Sequence, residues 1–125
     1  MLSLALPGRV FVCATPTDMR KSFDGLAAVV RDHLNQDPLA GDLFVFRNRR
    51  GDRLKLLYWD EDGLAVWAKR LEEGTFQFPT PEADGAAVEV KATELALILG
   101  GIELHSVARR KRYQRPPSTH PSAPS

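Results

Sequence analysis

The sequence predicts an α+β domain: an antiparallel β-meander of about four or five strands, one main amphipathic helix on one face, and a short C-terminal helix. Three observations carry this. One stretch, Met19 to Leu34, repeats its apolar residues at helical spacing. Three runs between Leu43 and Lys69 are rich in aliphatic and aromatic residues and are separated by polar, glycine-containing turns. A further apolar run, Thr93 to Leu99, ends at Gly100-Gly101, a pair suited to terminating a helix.

The elements follow in order. Arg9 to Ala14 reads as a strand, with Val10, Phe11 and Val12 as strand formers. Thr15-Pro16-Thr17-Asp18 breaks it and offers helix caps. The helix, from about Asp18 to Leu34, places Met19, Phe23, Leu26, Ala27, Val30 and Leu34 on one face. Arg20, Lys21, Asp24, Arg31 and Asp32 take the other. Asn35 to Gly41, containing Pro38, closes it with a loop. Leu43–Phe46, Arg53–Trp59 and Leu64–Lys69 are the next strands, joined by the turns 48–52 and 60–63, short enough for antiparallel neighbours. Thr75–Phe78 is a candidate fourth strand, stopped by Pro79, and Gly85–Val90 a short further one. Alternation sets Arg53 and Lys55 against Leu54 and Leu56, and Leu54 and Leu56 are expected to join Phe44 and Phe46 under the helix. Leu43, Val45, Leu57 and Trp59 then lie on the other face, which needs a cover of its own.

The chain has 125 residues, enough for a single domain, assigned to residues 1–105. Residues 106–125 are basic and then rich in Pro and Ser, and read as a disordered tail. With 43% hydrophobic and 26% charged residues, the composition is that of a soluble globular protein. A single cysteine, Cys13, permits no intrachain disulfide and sits in an apolar strand, where it reads as a small buried hydrophobe. The first residues lack the basic and long apolar regions of a signal peptide, and no run approaches a membrane span, so a cytoplasmic location is expected.

Catalytic and metal motifs are not evident. His33, His105 and His120 lack ligand spacing, and too few Cys and His residues are present for zinc. No phosphate-binding glycine motif or nucleophile elbow occurs. Asp60, Asp62 and Gly63 echo a calcium loop but lack its terminal glutamate, so they read as a polar hairpin turn. Asp18, Asp24 and Asp60 read as caps and exposed-face residues, and Arg50-Gly51-Asp52 as a chance tripeptide. The expectation is a non-enzyme without metal or cofactor.

Charge is the informative property. The total is +1, but Arg47 to Lys55 carries +4 and the segment from Ser106 onward +5, leaving −8 on the rest. Arginine forks bind phosphate oxygens in pairs, so a hairpin bearing Arg47, Arg49, Arg50, Arg53 and Lys55 suits a nucleic-acid backbone. Lys69 and Arg70 are candidate neighbours, and Arg109, Arg110, Lys111, Arg112 and Arg115 form a basic arm.

Several blocks in order carry a resemblance. They are Thr17-Asp-Met-Arg-Lys-Ser-Phe-Asp-Gly-Leu26, Gly41-Asp-Leu-Phe-Val-Phe-Arg-Asn-Arg-Arg50, Asp52-Arg-Leu-Lys-Leu-Leu-Tyr-Trp-Asp60, Lys69-Arg-Leu-Glu72 and Gly74-x-Phe-x-x-Pro79. Over residues 5–104 the sequence resembles the TnpB-type accessory protein, the second open reading frame product of bacterial insertion sequences of the IS-sixty-six type. This family is distinct from the RNA-guided nuclease of the same name. The resemblance implies an accessory factor for DNA transposition, encoded beside a transposase that performs strand transfer. Expected partners are DNA at the insertion-sequence ends, the element's transposase and its companion accessory protein, with no membrane and no small-molecule substrate. The alternative is a protein–protein adaptor that binds the transposase or another accessory protein. Here Leu64-Ala-Val-Trp-Ala68 keeps only Trp67 of an aromatic-rich family strand, and Glu73 stands where a basic residue is frequent.

Overall fold

The computed structural model describes residues 8–78 and 85–100. Its elements are β1 (Val10–Cys13), α1 (Phe23–Asp32), β2 (Leu43–Arg47), β3 (Arg53–Asp60), β4 (Gly63–Arg70), β5 (Ala87–Val90) and α2 (Ala92–Gly100). The five strands form one sheet in the order β4-β3-β2-β1-β5. The class is α+β, but the sheet is not wholly antiparallel: β1 and β2 run parallel, with Val10 beside Leu43 and Val12 beside Val45. The physical reason lies in the connection. A strand followed by a helix and a second strand has the length to return the chain to the same end of the sheet, which a tight turn cannot do. The remaining pairs, β2–β3, β3–β4 and β1–β5, are antiparallel.

Both faces of the sheet are covered. On one, Leu26, Ala27, Val30 and Leu34 cluster with Phe11, Cys13, Phe44, Phe46 and Leu57. The Phe11 and Phe44 rings stack at 5.8 Å. On the other, Leu95 and Ile98 of α2 and Phe76 join Val10, Val12, Leu43, Val45, Leu54, Leu56 and Val90. Tyr58, Trp67 and Phe78 pack against this second cluster.

The β2–β3 register corrects the expected facing of Leu54 and Leu56. Phe44 pairs with Leu57 and Phe46 with Lys55, while Val45 pairs with Leu56 and Arg47 with Leu54. Paired residues share a face, so Leu57 and Lys55 lie on the α1 side, and Leu54 and Leu56 on the α2 side. The five-residue loop 48–52 sets this register. A one-residue difference in pairing exchanges the faces.

The first helix begins at Phe23 rather than near Asp18. The residues before it make a turn of their own, in which Asp18 Oδ1 accepts the Arg20 N–H at 2.9 Å and the Lys21 N–H donates to the Asp18 carbonyl. Asn35, at φ 54°, takes the left-handed conformation that closes the C-terminal end. At α2, Glu94 Oε1 accepts the Lys91 N–H at 2.7 Å, reaching back across the first turn. Thr75–Phe78 is not a strand. Phe76 is buried, and its N–H donates to the Gly51 carbonyl, a loop contact rather than a ladder.

Candidate nucleic-acid interface

Asn48 builds the arginine loop. Its Oδ1 accepts the N–H groups of Gly51 at 2.9 Å and Arg53 at 3.0 Å, and its Nδ2 donates to Asp52 Oδ1 at 2.7 Å. Gly51 sits at φ 79°, a conformation glycine adopts without a side-chain clash. Two further bonds flank the loop, from the Leu71 N–H to the Asp52 carbonyl and from the Phe76 N–H to the Gly51 carbonyl, each 2.8 Å. The hydrogen bond from Asn48 holds the Asp52 carboxyl below its ordinary range, and the charges of Arg50 and Arg53 act in the same direction.

On the other side the segment leading to α1 is clamped to the end of β2. The Thr17 N–H donates to the Arg47 carbonyl at 2.7 Å, and Arg47 Nη2 donates to the Ala14 carbonyl at 3.1 Å. Thr17 is buried, at 8% exposure. Lys55 Nζ donates to the Lys21 carbonyl at 2.8 Å, fixing the segment to β3 as well. These bonds set Asp18, Met19 and Arg20 beside the arginine loop.

Two shallow grooves result. One of about 500 Å³ is lined by Pro16, Thr17, Asp18, Met19, Arg20, Asn48, Arg49 and Arg53. The second, of about 540 Å³, is lined by Met19, Arg53, Leu54, Lys55, Ala68, Lys69, Arg70 and Glu72. Met19 and Arg53 belong to both, so the grooves adjoin. Their combined lining has six basic residues and two acidic ones. Of the acids, Asp18 is engaged by the Arg20 guanidinium, with its closest contact at 2.8 Å. That hydrogen bonding lowers the Asp18 carboxyl to a pKa of about 2. Glu72 lies 3.9 Å from Arg70, a long contact between exposed groups.

The sequence-nominated residues divide into distinct placements. Arg49, Arg50 and Arg53 are exposed, and their guanidinium groups form no ion pair among the described residues. Arg53 lies directly opposite Arg70 on the neighbouring strand. Arg47 is half-buried; it serves the clamp and lies over the Phe78 ring at 5.6 Å. Lys55 is tied to the Lys21 carbonyl. Lys69 pairs with Leu54 in register, and its Nζ donates to the Leu99 carbonyl at the end of α2. Asp60 is at the far end of the β3–β4 hairpin from Arg53 and Arg70. Arg109, Arg110, Lys111, Arg112 and Arg115 lie outside the described residues.

Sequence reading missed Asn48 and Arg20. The signal for Asn48 was its place three residues before Gly51, where a side-chain carbonyl can mimic a backbone turn. Arg20 reads as part of the solvent face of a helix, but α1 starts only at Phe23 and Arg20 lies in the turn before it. Among the described residues no group of three or more His, Cys, Asp or Glu is arranged to hold a metal, and no helix is long and apolar enough to cross a membrane.

The grooves, the arginine loop and all five strands of the sheet lie within residues 8–109, the span matched by the family described as IS66 Orf2 like protein. The chain belongs to that family. Membership of the IS66 Orf2-like family associates it with insertion-sequence transposition, in an accessory role. Two relatives are from Sinorhizobium fredii (strain NBRC 101917 / NGR234). The uncharacterized protein y4jC is 42% identical over 108 residues, covering 86% of this chain and 90% of its own length. The uncharacterized protein y4hO is 40% identical over 95 residues, covering 76% of this chain and 81% of its own. No solved structure matches the chain significantly.

Proposed function

We propose that this IS66 Orf2-like protein is a non-catalytic accessory factor that contacts DNA, at the insertion-sequence ends, through the basic end of its sheet. The observation that carries the reading is the exposed trio of Arg49 and Arg50, on a loop fixed by Asn48, and Arg53 at the start of β3, with Arg70 opposite Arg53 and no ion pair to the trio among the described residues. Guanidinium groups held this way can take phosphate oxygens bidentately with little further ordering. The strand order refines the mode of contact. The β2 strand is central, so its turn with β3 is not the tip of a free two-stranded arm. Contact runs along the backbone across the sheet end, with Arg20 added and with Arg47 and Lys55 acting chiefly as supports. The basic arm from Arg109 to Arg115 contributes sequence-independent attraction.

The adaptor alternative loses part of its motivation, since α2 and Phe76 cover the sheet face opposite α1. The large exposed hydrophobics are Phe23 (48%) and Leu39 (52%), and neither lines the two basic grooves. Gel shifts on insertion-sequence-end duplexes across a salt series test the proposal. With four to six phosphates engaged, log affinity falls against log salt with a slope of about −4 to −5. The double replacement Arg49→Glu and Arg50→Glu lowers affinity at least tenfold and makes the slope shallower by about 2. Unchanged binding by this variant refutes the loop assignment. Retention of the transposase from nuclease-treated lysate, with no binding to duplex, supports the adaptor instead.

A further inference from the structure

The β4 strand is an edge of the sheet: β3 pairs with one side, and no described strand pairs with the other. Soluble proteins ordinarily protect such an edge with a charge, a proline, a bulge or short length. The opposite edge, β5, has two of these protections, since it is four residues long and its exposed Glu89 is engaged by Arg9 at 2.8 Å. By contrast β4 is eight residues long, pairs with β3 without a bulge, and carries no charge or proline from Gly63 to Ala68. We propose that β4 is the docking edge for a second copy of this chain, paired antiparallel about a two-fold axis through Val66.

Charge complementarity selects this occupant. The strand is bipolar: the acidic turn Asp60-Glu61-Asp62 leads into it, and Lys69-Arg70 ends it. A copy added parallel sets acid beside acid and base beside base. A copy added antiparallel sets each end against its opposite. A two-fold axis normal to the sheet keeps every side chain on its own face, so residues paired across it differ by an even number of positions. The register that places Val66 opposite Val66 of the partner subunit obeys this rule. It also sets Asp62 opposite Arg70 of the partner subunit, and the symmetry repeats that pair at the other end. Between the ends, Leu64 meets Ala68 of the partner subunit, and Ala65 meets Trp67 of the partner subunit. The long 3.9 Å contact of Arg70 with Glu72 leaves its guanidinium able to turn toward the new carboxylate. Two five-stranded sheets thereby become one continuous sheet, with both α1 helices on the same side.

Sedimentation equilibrium on the full chain, without nucleic acid, tests the proposal. The native chain is expected to dimerise. Arg70→Glu sets acid against Asp62 at both ends and weakens dimerisation about tenfold, as does Asp62→Lys. The combined Asp62→Lys, Arg70→Glu exchange restores native affinity, a recovery that neither a general loss of charge nor misfolding produces. Circular dichroism on each variant verifies the fold. A native chain that remains monomeric at high micromolar concentration overturns the proposal. So does a dimer indifferent to the single exchanges, or one that the double exchange does not restore.

Discussion

Replacing Asn48 by Ala removes the acceptor for two backbone N–H groups, those of Gly51 and Arg53, and the donor to Asp52. Asn48 is only partly buried, so water can satisfy some of what is lost. At about 1 kcal/mol net for each backbone hydrogen bond, discounted for that hydration, the loss is about 1–2 kcal/mol. For a domain of this size that lowers Tm by about 4–8 °C. Calorimetry of the native chain and of N48A measures it. The functional consequence is separate. All the arginines remain, but the loop carrying them loses its internal brace, so DNA affinity falls severalfold while the salt slope keeps most of its value. Slope counts charges, whereas affinity also includes the ordering of the side chains that bear them. A variant melting within 1 °C of the native chain refutes the role given to Asn48.

Two further predictions concern the neighbouring turns. The Arg20 guanidinium holds Asp18 at a pKa of about 2, below the ordinary 3.8. Because the folded value is depressed, the stabilisation from this pair is present above about pH 4 and is lost as pH falls toward 2. Carboxyl NMR titration gives a midpoint near 2 for Asp18, returning toward 3.8 in Arg20→Ala. Glu61, in the turn between β3 and β4, sits at φ 56°, where a side chain is disfavoured. Glu61→Gly stabilises the fold by about 1 kcal/mol, read as a higher midpoint in urea with an unchanged slope.

Strand positions and the class of the fold were legible because alternation and helical periodicity report burial directly. Residues 43–47 and 53–60 announce themselves through Phe44, Phe46, Leu54 and Leu56. Facing was harder, because Arg53 and Lys55 make one side of β3 read as polar, yet that side continues into buried Leu57 and lies on the α1 face. The pairings of Phe44 with Leu57 and of Val45 with Leu56 reveal which leucines go with the phenylalanines. Thr75–Phe78 misled for a related reason. Phe76 and Phe78 alternate with polar residues as in a strand, but Phe76 is anchored to the Gly51 carbonyl rather than to a ladder. At the candidate interface the arginines were visible as charge. What separates Arg47 from Arg49 is a carbonyl, Ala14, that folding brings to one and not the other. Composition carries no information about such a contact.

Strand order also dictates the sequence in which the domain can close. From β2 to β4 every pairing joins chain neighbours, so this three-stranded unit needs only two short turns. The β1–β5 ladder brings Val10 to Val90, across almost the whole described chain, and can gain little until the rest is in place. The arginine loop belongs to the early, local unit, whereas α2, which covers its second face, follows β5. Until β5 docks, a nascent chain therefore carries its basic loop beside an open apolar sheet face. That interval is when the protein is most exposed to association with the wrong surface.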